Sequence, residues 1–120
     1  MNQFSNSQVS QTGQIAFISM SRLVEYFVRR VTVEGYSMLP TYVPDERLTA
    51  WRRWRSVRVG DVVVLRDPRD NHRWLLKRCV GINGNRLDLR GDNVDASTDS
   101  RDFGLVSSHE AVWIVPRKQT

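Results

Sequence analysis

The chain has 120 residues, 40% hydrophobic and 26% charged, the balance of one soluble globular domain; this excludes a disordered polyelectrolyte, a fibrous repeat and a second independent core. Its formal charge, 18 basic minus 13 acidic side chains or +5, is compatible with an anionic partner without requiring one. The one cysteine, Cys79, excludes an internal disulfide and points to a reducing compartment, so a cytoplasmic location is expected, with a peripheral place at the cytoplasmic membrane as the alternative.

In chain order, residues 1–14 are polar and read as a disordered arm, with no basic start, apolar run and small-residue cleavage site of a secretory leader. Over residues 15–30, Ile15, Ile18, Leu23, Phe27 and Val28 keep a rough helical period, which predicts one amphipathic helix. Ser19, Ser21, Arg22, Glu25, Arg29 and Arg30 interrupt it, so it is expected to pack on the domain or touch a membrane surface, and not to span a bilayer. Residues 31–116 then change texture, with β-like runs at 31–33, 47–51, 62–66, 74–82, 86–90 and 111–115; residues 117–120 form a tail. Gly60-Asp61, Asp67-Pro68, Asn83-Gly84-Asn85 and Gly91-Asp92-Asn93 punctuate these runs. The expected fold is mainly β: a compact antiparallel domain with one short N-terminal helix.

Three clusters within this domain carry candidate chemistry. In Gly35-Tyr36-Ser37-Met38-Leu39-Pro40, a serine sits between a glycine that permits unusual backbone angles and a proline that restricts its predecessor. Alone, Ser37 reads as a turn residue; as a nucleophile it needs a base within hydrogen-bond reach. In Trp74-Leu75-Leu76-Lys77-Arg78-Cys79-Val80, strand alternation puts Lys77 on the face of Leu75 and Cys79. Facing inward, its amine would lose charge to desolvation and become a usable base near neutral pH; facing out, it would simply extend to solvent. In Gly91-Asp92-Asn93-Val94-Asp95-Ala96-Ser97-Thr98-Asp99-Ser100-Arg101, turn-formers and short polar side chains crowd together, either as a surface loop or as a clamp in which Asp99 pairs with Arg101 and Ser97 orients the base.

In this order the three clusters resemble the signal peptidase I superfamily of Ser-Lys proteases. Val33 to Thr41 looks like the nucleophile box, Gly60-Asp61-Val62-Val63-Val64 the following strand, Leu76-Lys77-Arg78 the base box, and Gly91 through Arg101 the closing box. The resemblance implies Ser37 as nucleophile, Lys77 as general base, the Ser37 backbone amide as an oxyanion donor, Ser97 as orienter of the lysine, and Gly35, Met38, Pro40, Asp92, Asp99 and Arg101 as structural support. It implies neither metal nor organic cofactor. The chain departs from the pattern in having Gly35 where some members carry a hydroxyl, Val43-Pro44-Asp45-Glu46 in place of a Pro-Gly-Asp turn, and Cys79 where valine is common. The 40 positions from Ser37 to Lys77 leave no room for the inserted domain of large signal peptidases, and with no membrane anchor read in the sequence, a chain reading Asp67-Pro68-Arg69-Asp70, then Leu75-Leu76-Lys77-Arg78 and Ala96-Ser97-Thr98-Asp99-Ser100-Arg101, looks most like the nickel-type superoxide dismutase maturation proteases. The expected partner is then a precursor protein, the dismutase precursor, from which a leader is removed; the nickel belongs to the product.

Other readings remain beside this one. A type I signal peptidase acting on secretory leaders would use the same dyad, with residues 15–28 as an interfacial anchor. A self-cleaving repressor is disfavoured, since neither a DNA-reading helical domain nor an Ala-Gly or Cys-Gly bond precedes Ser37. Trp51 to Arg58, with four arginines, reads either as a nucleic-acid-binding run or as an exposed connection with its Trp rings folded onto apolar surface; the second is preferred, and no nucleic acid is expected as a partner. His72 and His109 lack ligand-spaced neighbours, which disfavours zinc, and the apolar setting of Cys79 argues against a thiolate nucleophile.

Overall fold

The computed structural model of the chain describes residues 24–117. The arm predicted at 1–14, residues 15–23 of the predicted helix and the tail positions 118–120 lie outside the described residues. Among the described residues, seven strands form one sheet: β1 Val28–Thr32, β2 Arg47–Arg52, β3 Val62–Asp67, β4 Asp70–Asn83, β5 Arg86–Arg90, β6 Val106–Ser107 and β7 Ala111–Val115. Their order is β1-β2-β7-β3-β4-β5-β6, and every neighbouring pair is antiparallel. The mainly β expectation holds.

The predicted helix does not reach residue 30. Residues 24–27 are helical, but Val28, Arg29 and Arg30 belong to β1, which pairs with β2 from Val28↔Trp51 to Thr32↔Arg47. A weak helical period at Phe27 and Val28 loses to a run of β-branched residues whose backbone groups find partners on β2. β4 is also longer than predicted, because Asp67 and Asp70 close a tight hairpin in which the Asp67 carboxylate accepts the Arg69 N–H at 2.8 Å. The turn after β4 forms where Asn-Gly-Asn predicted it, with Gly84 at φ 64 and Asn83 paired to Arg86.

Both faces of the central strands are covered, which explains the unbroken apolar run Val62-Val63-Val64-Leu65. One face buries Val63, Leu65, Leu75, Cys79, Leu89 and Ile114; the other buries Leu48, Ala50, Val62, Val64, Trp113 and Val115, capped by Met38 and Tyr42. Each fully buried aliphatic side chain contributes about 1.5–3 kcal/mol. The Met38 and Tyr42 anchors fasten the turn that carries Ser37 to the sheet. Among the described residues, no helix is long and apolar enough to cross a membrane.

Candidate active site

Ser37 lies in the turn between β1 and β2. Gly35 enters it at φ 73, a left-handed conformation suited to glycine, and the Leu39–Pro40 peptide is cis. Met38, 1% exposed, drives into the core beside it, and hydrogen bonds from Leu39 N–H to Tyr36 O (3.2 Å) and Tyr42 N–H to Met38 O (2.9 Å) close the turn. Further along, Asp45 adopts φ 72, and its N–H donates to Val33 O at 2.8 Å. Asp tolerates this region better than most side-chain-bearing residues.

Lys77 is on the face that strand alternation assigned, with Leu75 and Cys79, and is 3% exposed. β5 leaves β4 at Arg90↔Arg78, one residue short of the lysine, so the segment after Gly91 crosses the vacated edge. There Ser97 meets the amine: Lys77 Nζ donates to Ser97 Oγ at 3.0 Å. The same oxygen accepts the Gly91 N–H at 3.1 Å, and the Ser97 hydroxyl donates to Asp99 Oδ2 at 2.8 Å. Its proton is thereby committed to the carboxylate and its lone pairs to Gly91 and Lys77. An uncharged Nζ with one hydrogen aimed at Ser97 keeps its lone pair available.

Asp99, fully buried, also accepts from the Gly91 N–H, from the Arg101 N–H and from the Arg101 guanidinium, and it caps the short helix α1, Ser100–Phe103. Burial alone would raise its pKa, but the Arg101 pair and the Gly91 and Ser97 donors outweigh it and hold the carboxyl well below its usual range. For Lys77, burial is the dominant influence and lowers the pKa; Asp99 opposes it, while Arg73 and Arg101 reinforce it. Burial likewise raises the Cys79 thiol, which keeps it protonated and inert.

Two contacts bring the closing segment against the Ser37 turn. The Asn93 N–H donates to Ser37 O at 2.8 Å, and Asn93 Nδ2 donates to Tyr36 O at 3.0 Å. Gly91 stands between the clusters so tightly that a Cβ there would overlap Ser97 Oγ and come within 2.6 Å of Ser37 O. Asp92 adds a brace, taking Arg78 at 2.8 and 2.9 Å and the Thr41 hydroxyl at 2.6 Å. Sequence reasoning placed Arg78 in the base box and Gly91 and Asn93 in the closing box but gave a role only to Asp92; the contacts of Gly91, Asp92 and Asn93 with the Ser37 turn were not legible, because Ser37, Tyr36 and Thr41 lie more than fifty positions upstream. Ser37 and Lys77 line one cleft of about 1030 Å³, together with Gly35, Met38 and Thr98. Among the described residues, the Ser37 N–H donates to no protein acceptor.

The Trp51 to Arg58 run does not form one basic stripe. Arg52 stacks on Tyr26, Arg53 donates to Ser108 O at 2.8 Å and Arg55 pairs with Asp61 at 2.7 Å. The Trp rings are not folded onto apolar surface as expected: Trp54 is 59% exposed and Trp51 remains exposed too, because the arginines beside them take the inward contacts.

The family model "Signal peptidase, peptidase S26" matches residues 7–91, which include Ser37 and Lys77 and stop before Ser97. Mitochondrial ATP-independent inner membrane protease subunit 1a of Arabidopsis thaliana is 35% identical over 68% of this chain and 64% of its own length. Mitochondrial inner membrane protease subunits 2 and 1 of Schizosaccharomyces pombe are 29% and 32% identical, over 80% and 68% of this chain and 67% of each relative. The chain thus spans about two thirds of the length of these curated relatives. A match over residues 7–91 of 120, on an antiparallel sheet that carries the motifs in register, places the chain in the peptidase S26 signal peptidase family.

Proposed function

We propose that the chain is a serine endopeptidase in which Ser37 and Lys77 act as a dyad. The uncharged Lys77 amine takes the Ser37 hydroxyl proton as Oγ attacks the scissile carbonyl. The resulting oxyanion is met by the Ser37 N–H, and the Lys77 ammonium returns the proton to the leaving amine. Water then attacks the acyl ester with the same amine as base, releasing the acid and restoring Ser37. The observation that carries this reading is Lys77, a residue 3% exposed that lines the cleft Ser37 lines, with its amine hydrogen-bonded to Ser97. Ser97 orients the amine; Asp99 and Arg101 hold Ser97.

The substrate in this reading is the N-terminal leader of a precursor protein, and on the motif resemblance that precursor is nickel-type superoxide dismutase, processed in the cytoplasm. A second reading is favoured by the relatives, whose names place them at the mitochondrial inner membrane: cleavage of leaders at a membrane surface, as a signal peptidase does. Incubating the protein, Ser37→Ala and Lys77→Ala with a nickel dismutase precursor and with a secretory preprotein, and sequencing the new N-termini, tests both. The wild type should trim one of them, and each variant should lose about 10⁴-fold or more of the activity. Trimming that survives in both variants would remove the dyad.

A further inference from the structure

The fifteen arginines among the described residues fall into three groups around the cleft beside Ser37 and Lys77, and one group, Arg47, Arg53, Arg58, Arg86 and Arg117, neither forms an ion pair nor lines that cleft. Five ion pairs form among the described residues, through Arg55, Arg69, Arg78, Arg90 and Arg101, and none of these arginines lines the cleft. Five others do line it, Arg29, Arg30, Arg52, Arg66 and Arg73, and none of them is in an ion pair there. Among the described residues, Glu34 is the one acidic side chain in the cleft wall.

What several of these arginines touch instead is aromatic or carbonyl. Arg29 lies 5.3 Å over Trp113, Arg52 lies 4.0 Å over Tyr26, and Arg66 lies 4.2 Å over Trp74 while donating to Asn71 O at 2.6 Å. A guanidinium stacked by its face still presents N–H donors along its edge, in a planar fork that matches a carboxylate. A concave site lined by one sign of charge concentrates counter-charged guests. The cleft volume, about 1030 Å³, is at the top of the roughly 300–1,000 Å³ range usual for ligand pockets and suits a run of residues.

We propose that this cleft selects acidic peptide segments, with Arg66 and Arg73 on the β3–β4 side and Arg29 and Arg30 on β1 as specificity-determining residues that bind Asp or Glu side chains flanking the scissile bond. The proposal rests on the peptidase reading of the same cleft. A peptide fits better than a polynucleotide for two reasons. β1 is an edge strand whose outer side has no strand partner among the described residues, which offers main-chain hydrogen bonds to an extended guest. Of the three Trp and Tyr rings that line the cleft, Trp74 and Trp113 already carry arginines, which leaves Tyr36 as a single open face where single-stranded nucleic acid stacks successive bases on several.

The test digests a randomised synthetic peptide pool with the full chain and with Ser37→Ala, mapping new termini by mass spectrometry. Ser37-dependent cuts should be enriched in Asp and Glu near the cleaved bond. Of two peptides sharing one cut site, that with acidic flanks should have a several-fold lower KM than its Asn/Gln counterpart, and about 0.5 M salt should shrink the gap. Arg66→Gln and Arg73→Gln should each narrow it by about two- to fivefold, through KM, and Arg73→Glu should turn the preference towards basic flanks. Ser37-dependent cleavage indifferent to flank charge would overturn the proposal and leave the peptidase reading intact. Should no Ser37-dependent cleavage occur, the peptidase reading falls and the substrate proposal with it. Fluorescence anisotropy on Ser37→Ala gives an independent binding arm: tighter binding of the labelled acidic peptide than of its neutral counterpart supports the preference, equal binding overturns it, and preferential binding of a single-stranded oligonucleotide reassigns the cleft to nucleic acid.

Discussion

At Lys77 the chain accepts a local cost. An amine 3% exposed beside Leu75 and Cys79 holds its proton less tightly than a solvated one, even with the Asp99 charge nearby. The unfolded chain binds that proton below about pH 10.4, whereas the native state binds it only below a lowered pKa. Between those two values the unfolded state carries more protons, so native stability falls as the pH drops from about 10 towards the native pKa and then levels. Lys77→Met, which fills the same apolar site without a titrating group, should therefore be inactive yet more stable than the wild type. Its advantage in denaturant midpoint should be larger at pH 7 than at pH 10; an equal advantage at both pH values would mean that the amine is not depressed. In the proposed dyad, the same shift would set the activity profile. On a substrate with no group titrating in that range, kcat/KM should rise with pH along a limb whose midpoint lies below the ordinary lysine value of 10.5.

Elements, more than single residues, decide how close the serine and the lysine come. The closing segment is fastened to β4 through Ser97 and Arg78 and to the Ser37 turn through Asn93 and Thr41, and Gly91 is where the two attachments meet. Gly91→Ala should push Ser97 off the lysine and the Ser37 carbonyl off Asn93. We expect a loss of about 1–3 kcal/mol in stability, as for other overpacked sites, and, on the proposed dyad, a fall in kcat larger than any rise in KM, since Lys77 loses its orientation while the cleft wall remains. Wild-type kcat in a folded Gly91→Ala protein would show that the clamp does not position the base. This joint marks the limit of what the sequence displays. The face of Lys77 was legible because strand alternation is local, and the Asn83-Gly84-Asn85 hairpin because its turn chemistry is local. The contact between Gly91 and Ser37, the two-residue strand β6 and the conversion of Val28, Arg29 and Arg30 from helix to strand depend on pairing partners far along the chain, which no short window contains. Likewise, the sequence counts arginines but does not say which of them find an aspartate.

Across the whole molecule, each face of the sheet carries one apolar cluster, and the cleft draws on both, Leu75 and Lys77 from one face and Val64 and Trp113 from the other. Ile114 and Trp113 are adjacent on β7 and point to opposite sides, Ile114 into the cluster with Val63, Leu65 and Leu89, Trp113 into the cluster with Val62, Val64 and Met38. Because β3 and β7 carry both clusters, neither can dissolve without the other, and unfolding should be one cooperative transition seen alike by circular dichroism and tryptophan fluorescence. Ile114→Ala and Trp113→Ala should each destabilise the protein by about 2–5 kcal/mol. Only the second should also alter function, since Trp113 lines the cleft and carries Arg29 and Arg52 on its ring. Removing the ring frees the Arg29 guanidinium and leaves Arg52 on Tyr26 alone, so KM for a substrate should rise several-fold in Trp113→Ala and stay near wild type in Ile114→Ala at a temperature where both remain folded. Equal KM effects from the two substitutions would mean that the cleft floor answers to global stability alone and that Trp113 has no separate part in presenting the arginines.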